Sequence, residues 1–254
     1  MLYNLSFWFI LFILYSILGY IVEIISVSIK SKKIVFNRGF LIGPYLPIYG
    51  VGCLIMVVFL ARYRDDLLVL FIMSAFYCSV LEYVTSLLME KIFKLRWWDY
   101  SQMKFNLNGR ICLFNSVSFG LGGILVVRVI HPFLAWLVYL PSSTITIWVA
   151  SILFVIFMLD VVESSYITTR LRINFNKYVH VDATAKIKKE VQNAIRKNTL
   201  LTSRLLRAFP TASYEANKKF KEFLELFDVT KREVRIQKLK AKIKEEKKKK
   251  GILK

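Results

Sequence analysis

The sequence is poor in the residues that mark several common classes of protein. Its 254 residues include 3 Cys, 5 Pro, 10 Gly and 17 acidic side chains. So few cysteines cannot build the disulfide framework of a small secreted protein. So little Gly and Pro argues against a disordered, low-complexity chain. Uncharged stretches of about twenty residues recur along the first two thirds, which excludes an ordinary soluble enzyme.

Sequence motifs for several familiar chemistries are also lacking. There is no Gly-x-x-x-x-Gly-Lys-Ser/Thr loop, so we expect no ATP binding by this chain. There is no His-Glu-x-x-His or Cys-x-x-Cys metal pattern, and no Gly-x-Ser-x-Gly nucleophile elbow. His131 and His180 are isolated in the sequence, and we expect them to be exposed in a loop and in the tail. We therefore expect neither a metal nor a cofactor.

The sequence is instead rich in apolar residues at one end and in basic residues at the other. Hydrophobic residues make up 56% of the chain, and its mean hydropathy is +0.49. Residues 1–165 hold 12 Lys and Arg against 8 acidic residues, whereas residues 166–254 hold 25 against 9. This division predicts an all-α polytopic bundle of transmembrane helices at 1–166. It also predicts a basic cytoplasmic helical tail at 167–254.

Five segments are apolar and long enough to cross the hydrocarbon core, which takes about twenty helical residues. Residues 133–140, between two prolines, are apolar but too short, and we interpret them as an interfacial or re-entrant stub. The first span is too long for a signal peptide and has no cleavage site, so we expect it to remain. The predicted spans are 5–29, 43–61, 66–90, 111–130 and 142–166.

The distribution of basic residues between the spans predicts the orientation of the chain. The first and third breaks carry four and five Lys or Arg, whereas the second and fourth together carry three. Basic loops stay in the cytoplasm. The strongly basic tail should also stay there, and five spans then place the N-terminus outside. We expect a multi-pass membrane protein with its C-terminus in the cytoplasm.

Polar residues at membrane depth predict a site. Glu23 and Glu82 each lie on a helix face with small residues, and charges within spans are costly and usually functional. Residues 37–52 hold glycines and two prolines at the start of the second span, which predicts a broken, partly extended entrance. The candidate substrate-binding residues are Glu23, Asn37, Arg38, Glu82, Asp99, Asn106, Asn108 and Arg110.

An alternative explanation of these charges is structural. Carboxylates near the interface can extend to water or pair with each other, and either would only hold the bundle together. We favour that explanation for Glu90, Asp160 and Glu163, and a functional role for Glu23 and Glu82.

Three blocks of the sequence resemble a known family. The chain has Gly-Tyr with a nearby Glu in its first span, an Asn-Arg-Gly-Phe-Leu…Gly-Pro…Pro-Ile-Tyr-Gly block at 37–50, and Trp-Asp-Tyr-Ser with Phe-Asn-Leu…Gly-Arg-Ile-Cys at 98–112. Over residues 10–165 it resembles the bacterial ABC-transporter type IV (CmpB-like) membrane proteins. The resemblance implies a helical fold in the bacterial inner (plasma) membrane and a permease role.

Three functions stay open on the sequence. The leading hypothesis is a permease-like transporter subunit whose polar site lies near the cytoplasmic face, working with a separate ATPase or other membrane subunit. The first alternative is a membrane enzyme acting on a lipid-linked or amphiphilic substrate, with Glu23 or Glu82 as general base and arginines that bind phosphate.

The third hypothesis is a scaffold that recruits a partner through the basic tail. Apolar periodicity after Asp182 predicts one amphipathic helix up to Pro210, and a second from about residue 212. These helices could bind a helical partner or anionic lipid. The tail has no nucleic-acid reader motif, so we do not expect nucleic acid as a partner.

Overall fold

The structure is a computed structural model that describes residues 1–32, 39–93 and 97–180, with the backbone alone for residues 30, 31 and 171–180. Two of the candidate site residues, Asn37 and Arg38, lie outside the described residues. So do the two amphipathic helices predicted after Asp182.

The described residues form six α-helices and one short β-hairpin. A single turn of 3₁₀ helix, Ala61–Tyr63, follows α2, and a π-helical turn, Val126–Ile130, joins α4 to α5. The strands of the hairpin are β1 (Asn106–Leu107) and β2 (Ile111–Cys112), and they pair antiparallel. The helices are α1 (Leu2–Ser31), α2 (Pro47–Leu60), α3 (Leu67–Phe93), α4 (Leu113–Leu125), α5 (His131–Tyr139) and α6 (Ser143–His180).

Long apolar helices dominate the fold. Four stretches of 27 or 28 residues are long and apolar enough to cross a membrane, and Pro47–Tyr63 is a shorter apolar helix. Their outward faces carry many exposed Leu, Ile, Val and Phe side chains, as suits contact with lipid. The predicted all-α bundle of a multi-pass membrane protein is confirmed. The four long stretches are Leu2–Ile29, Leu67–Phe93, Leu113–Tyr139 and Ser143–Arg170.

The predicted break at His131 and Pro132 was wrong. Residues 113–139 form one continuous helical rod, so 133–140 is the second half of the fourth span and not a separate stub. Pro132 lacks an amide hydrogen, and its ring would collide with the carbonyl of Arg128 in a regular α-helix. The wider π-helical turn just before Pro132 relieves that collision, so the helix continues.

His131 was also predicted wrongly as an exposed loop residue. It begins α5, is half-buried, and its Nδ1 lies 2.7 Å from the hydroxyl of Tyr15 on α1. Tyr15 is almost fully buried, and Trp8 stacks near the imidazole ring. The pair is a polar contact between α1 and the continuous helix 113–139, at the end of the bundle that holds Tyr139.

Small residues set the helices close together. A Cβ atom on Gly123 of α4 would lie 2.0 Å from Ser74 Oγ of α3, and one on Gly19 of α1 would lie 2.3 Å from the Tyr49 Cβ of α2. Each glycine therefore lets a neighbouring helix approach to a distance that alanine would prevent. These contacts bring α1, α2, α3 and α4 around one interior.

The entrance to α2 is broken, as predicted. Residues 39–46 are not helical, and Pro47 begins α2 at a position where its missing amide hydrogen is harmless. The free backbone groups find other partners: the Leu46 amide donates to the Ser16 carbonyl at 2.9 Å. The amides of Ile42 and Gly43 donate to the carboxylate of Asp160 on α6, at 2.7 and 2.6 Å.

Candidate functional site

Glu82 lies in the interior of the bundle, at the middle of the polar face of α3. It is 8% exposed, and Ser74, Cys78 and Ser86 are buried on the same face. Its Oε1 accepts a hydrogen bond from the Tyr100 hydroxyl at 3.1 Å and a longer one from the Asn115 amide at 3.5 Å. Among the described residues its Oε2 is buried without a hydrogen-bond partner. A half-satisfied carboxylate at this depth requires an explanation.

Glu23 lies on α1, and α2 connects it to the same interior. The Tyr49 hydroxyl donates to Glu23 Oε2 at 3.2 Å. Gly19, one helical turn before Glu23, gives the Tyr49 ring the room it needs to lie against α1. Gly19 on α1 thus lets Tyr49, at the start of α2, lie beside the Glu23 carboxylate of the same α1 helix.

Tyr100 joins the two carboxylates electrostatically. Burial raises the pKa of its hydroxyl, the carboxylate of Glu82 raises it further, and Glu23 adds a smaller effect in the same direction. The hydroxyl therefore stays protonated at neutral pH and can remain a donor to Glu82. We call Glu23, Glu82 and their hydrogen-bond partners Tyr49, Tyr100 and Asn115 the polar cluster.

Arg110 lies at the edge of this cluster and is paired with another acid. Its Nη1 is 2.8 Å from Glu90 Oε2 and donates to Ser86 Oγ at 3.1 Å. The guanidinium also lies 5.8 Å from the centre of the Tyr83 ring. In the described contacts Arg110 therefore neutralises Glu90, one helical turn beyond Ser86, and does not pair with Glu82.

The other polar residues of the 97–112 loop shape its backbone. Asn108 and Gly109 both have positive φ, and the Arg110 amide bonds to the Leu107 carbonyl at 3.0 Å, so they form a tight two-residue hairpin turn. Asn106 receives the Gly109 amide on Oδ1 at 2.9 Å and donates through Nδ2 to the Met103 carbonyl at 2.8 Å. The sequence did not predict these two local roles, of Asn108 in the turn and of Asn106 in the loop.

Asp99 and Asn108 make similar local contacts. Asp99 Oδ1 accepts from the Ser101 amide at 3.0 Å, a bond that shapes the start of the loop. Asn108 Nδ2 donates to the Tyr83 hydroxyl at 3.0 Å and ties the hairpin to α3. The loop thus places Tyr100 and Arg110 on the polar face of α3.

The structure brings together part of the predicted set. Glu23 and Glu82 share one cluster, Arg110 lies beside it, and the remaining described members build the loop. Sequence reasoning missed three polar partners of the carboxylates: Tyr49, Tyr100 and Asn115. An asparagine in the first turn of an otherwise apolar helix was the available signal for Asn115. No comparable signal pointed to the two tyrosines, because their hydroxyl contacts depend on tertiary structure.

This arrangement defines a class of protein, a multi-pass helical membrane protein with a polar cluster inside its bundle. A family model described as "Putative ABC-transporter type IV" matches residues 10–165, well over half of the chain. The chain therefore belongs to this family. No curated protein and no solved structure matches it.

Proposed function

We propose that the chain is a permease-like subunit of a membrane transporter, and that a polar solute binds at the cluster around Glu82 and Glu23. The family match supports a transporter-like membrane protein. The cluster supplies what a translocation site needs, because carboxylates, tyrosine hydroxyls and an asparagine amide meet between four helices. Asn37 and Arg38 lie outside the described residues and stay candidates for the site. The other candidates, Asp99, Asn106, Asn108 and Arg110, would border the site from the 97–112 loop.

One observation carries this proposal: the buried Oε2 of Glu82 has no hydrogen-bond partner among the described residues. A carboxylate that only stabilised the bundle would be expected to have both oxygens satisfied, as Asp160 has. Keeping an unsatisfied acceptor inside a membrane helix is costly, and a bound solute that donates to it would offset that cost.

The proposed orientation places this cluster near the cytoplasmic face of the inner membrane. The basic breaks after α1 and α3 then lie in the cytoplasm with the C-terminal tail, and the N-terminus lies outside. A separate ATPase or another membrane subunit would supply the energy for transport. The basic tail is suited to bind such a partner, or anionic lipid.

A membrane enzyme acting on a lipid-linked substrate is less well supported. That function needs arginines free to bind phosphate, and the Arg110 guanidinium is paired with Glu90 at 2.8 Å. A pure scaffold would not need an unsatisfied carboxylate between its helices.

The test is the Glu82→Gln substitution in a host deleted for the gene, scored for abundance in the membrane and for complementation of the deletion phenotype. Glutamine keeps the shape but removes the charge, so we expect normal abundance with loss of function. Asp65→Asn is the matched control, because Asp65 is an exposed carboxylate between α2 and α3. Full complementation by Glu82→Gln would refute the proposal.

A further inference from the structure

We propose that the solute bound at Glu82 is a small organic cation that carries a protonated amine. This inference rests on the proposed function and names the chemical class of its substrate. It is argued from the hydrogen-bonding capacity that remains at the cluster and from the pairing of its charges.

Each hydrogen bond described in the cluster already ends on a carboxylate oxygen. The Tyr100 hydroxyl and the Asn115 amide donate to Glu82 Oε1, and the Tyr49 hydroxyl donates to Glu23 Oε2. What Glu82 still offers is an acceptor, its buried Oε2. A ligand that satisfies this oxygen must bring an N–H or O–H group of its own. An anion without such a group, or a bare carbonyl compound, could not do so.

The charge of Glu82 also favours a cation. The described residues give Glu82 no ion pair, because Arg110, the arginine on the hairpin beside α3, pairs with Glu90. A carboxylate that is 8% exposed and has no ion pair among the described residues is stabilised most by a positively charged donor. An ammonium group combines the charge with the N–H bonds.

The oxygen atoms of this cluster suit an ammonium group better than a divalent metal ion. The described residues contain no group of three or more His, Cys, Asp and Glu side chains that could hold a metal. An ammonium needs only one carboxylate oxygen and a few neutral oxygens, such as those of the tyrosine hydroxyls. Oε2 is covered by protein atoms. Binding therefore requires the cover to move, as alternating access in a permease would provide.

The experiment measures binding of radiolabelled ethylammonium to the purified full-length protein in detergent by scintillation proximity. We expect saturable binding that unlabelled ethylammonium displaces, and that sodium propionate at the same concentration does not. Loss of one charge-assisted hydrogen bond should weaken binding about tenfold or more in Glu82→Gln. Asp65→Asn should bind within about twofold of the unmodified protein, the change expected for an exposed carboxylate away from the site.

Three results would overturn the inference: no saturable binding of ethylammonium, equal binding by Glu82→Gln, or displacement by propionate as effective as by ethylammonium. If ethylammonium shows no saturable binding and Glu82→Gln fails to complement the deletion in cells, the proposed function still stands. In that case Glu82 serves another ligand, such as a proton. Ethylammonium binding that depends on Glu82, together with full complementation by Glu82→Gln, instead refutes the proposed function.

Discussion

Asp160 shows how one carboxylate can hold a broken membrane segment in place. It accepts hydrogen bonds from the amides of Ile42 and Gly43 and from the Tyr45 hydroxyl, and a fourth from Ser164 on its own helix. Backbone amides outside a helix need partners at membrane depth, because lipid offers none. The side chain on α6 supplies them, which supports the structural role that we favoured for Asp160 from the sequence.

We expect Asp160→Asn to destabilise the bundle by about 1.5–3 kcal/mol, the range for hydrogen bonds to a charged group. Asparagine has one acceptor oxygen in place of two, and its NH₂ group would point at a donor. The measurement is the loss of helical circular dichroism on heating or on titration with denaturing detergent.

Glu163→Gln is the control for this substitution. Glu163 lies three residues further along α6 and is exposed, so removal of its charge should have little effect. Equal stability of the two variants would show that the bonds to Asp160 contribute nothing to the fold.

For single residues, the sequence predicts which ones are unusual but not which residues they contact. Glu23, Glu82 and Asp160 all stood out as acids within apolar spans. Apart from Ser164, one helical turn after Asp160, the partners named above lie 18 to 118 residues away along the chain, as with Tyr100 and Glu82 or Ile42 and Asp160. Spacing within one helix carries no information about such contacts.

At the scale of helices, adjacent glycines in α4 have different roles. Gly123 is buried against Ser74, where a Cβ atom would lie 2.0 Å from Oγ and 2.3 Å from the serine Cβ. Rotation of the serine side chain cannot relieve the second of these contacts, so α3 or α4 would have to move. Gly122 has no atom within 4 Å of the position where a Cβ would be.

We therefore expect opposite outcomes for two neighbouring substitutions. Gly123→Ala should destabilise the protein by about 1–3 kcal/mol through overpacking. Gly122→Ala should be neutral or stabilising by up to about 1 kcal/mol, because alanine favours the helix. Thermal unfolding in detergent measures both, and a Gly123→Ala variant as stable as Gly122→Ala would contradict the tight α3–α4 contact.

The continuous helix 113–139 shows that a sequence pattern cannot decide whether a proline ends a helix. His131-Pro132 looked like the end of a span, because proline usually breaks a helix. The chain instead inserts an extra residue in the turn Val126–Ile130 and continues to Tyr139. Whether a proline ends or only widens a helix depends on the packing that holds the following turns, here Leu134 and Val138 in the core.

For the whole molecule, composition was sufficient to predict an all-α membrane bundle with long apolar helices. Each span must satisfy its own backbone, so length and apolarity determine it locally. The orientation of the bundle is a separate matter, since it depends on the basic residues of the loops.

We expect cysteine labelling to place the N-terminus outside the cell. In a variant whose three native cysteines are replaced by alanine, a membrane-impermeant maleimide added to intact cells should label Tyr3→Cys. It should not label Lys33→Cys or Leu200→Cys until the cells are opened. Labelling of Leu200→Cys in intact cells would reverse the orientation and move the Glu82 cluster to the outer side.

The length of α6 has a mechanical consequence. Its 38 residues make an unbroken rod of about 57 Å, nearly twice the thickness of the hydrocarbon core. Asp160 binds the entrance of α2. It lies about 30 Å along the helix from the end of α6 at His180. We therefore expect any displacement of the C-terminal part of α6 to act first on the amides of Ile42 and Gly43, which donate to Asp160. These amides lead into α2, where Tyr49 donates to Glu23.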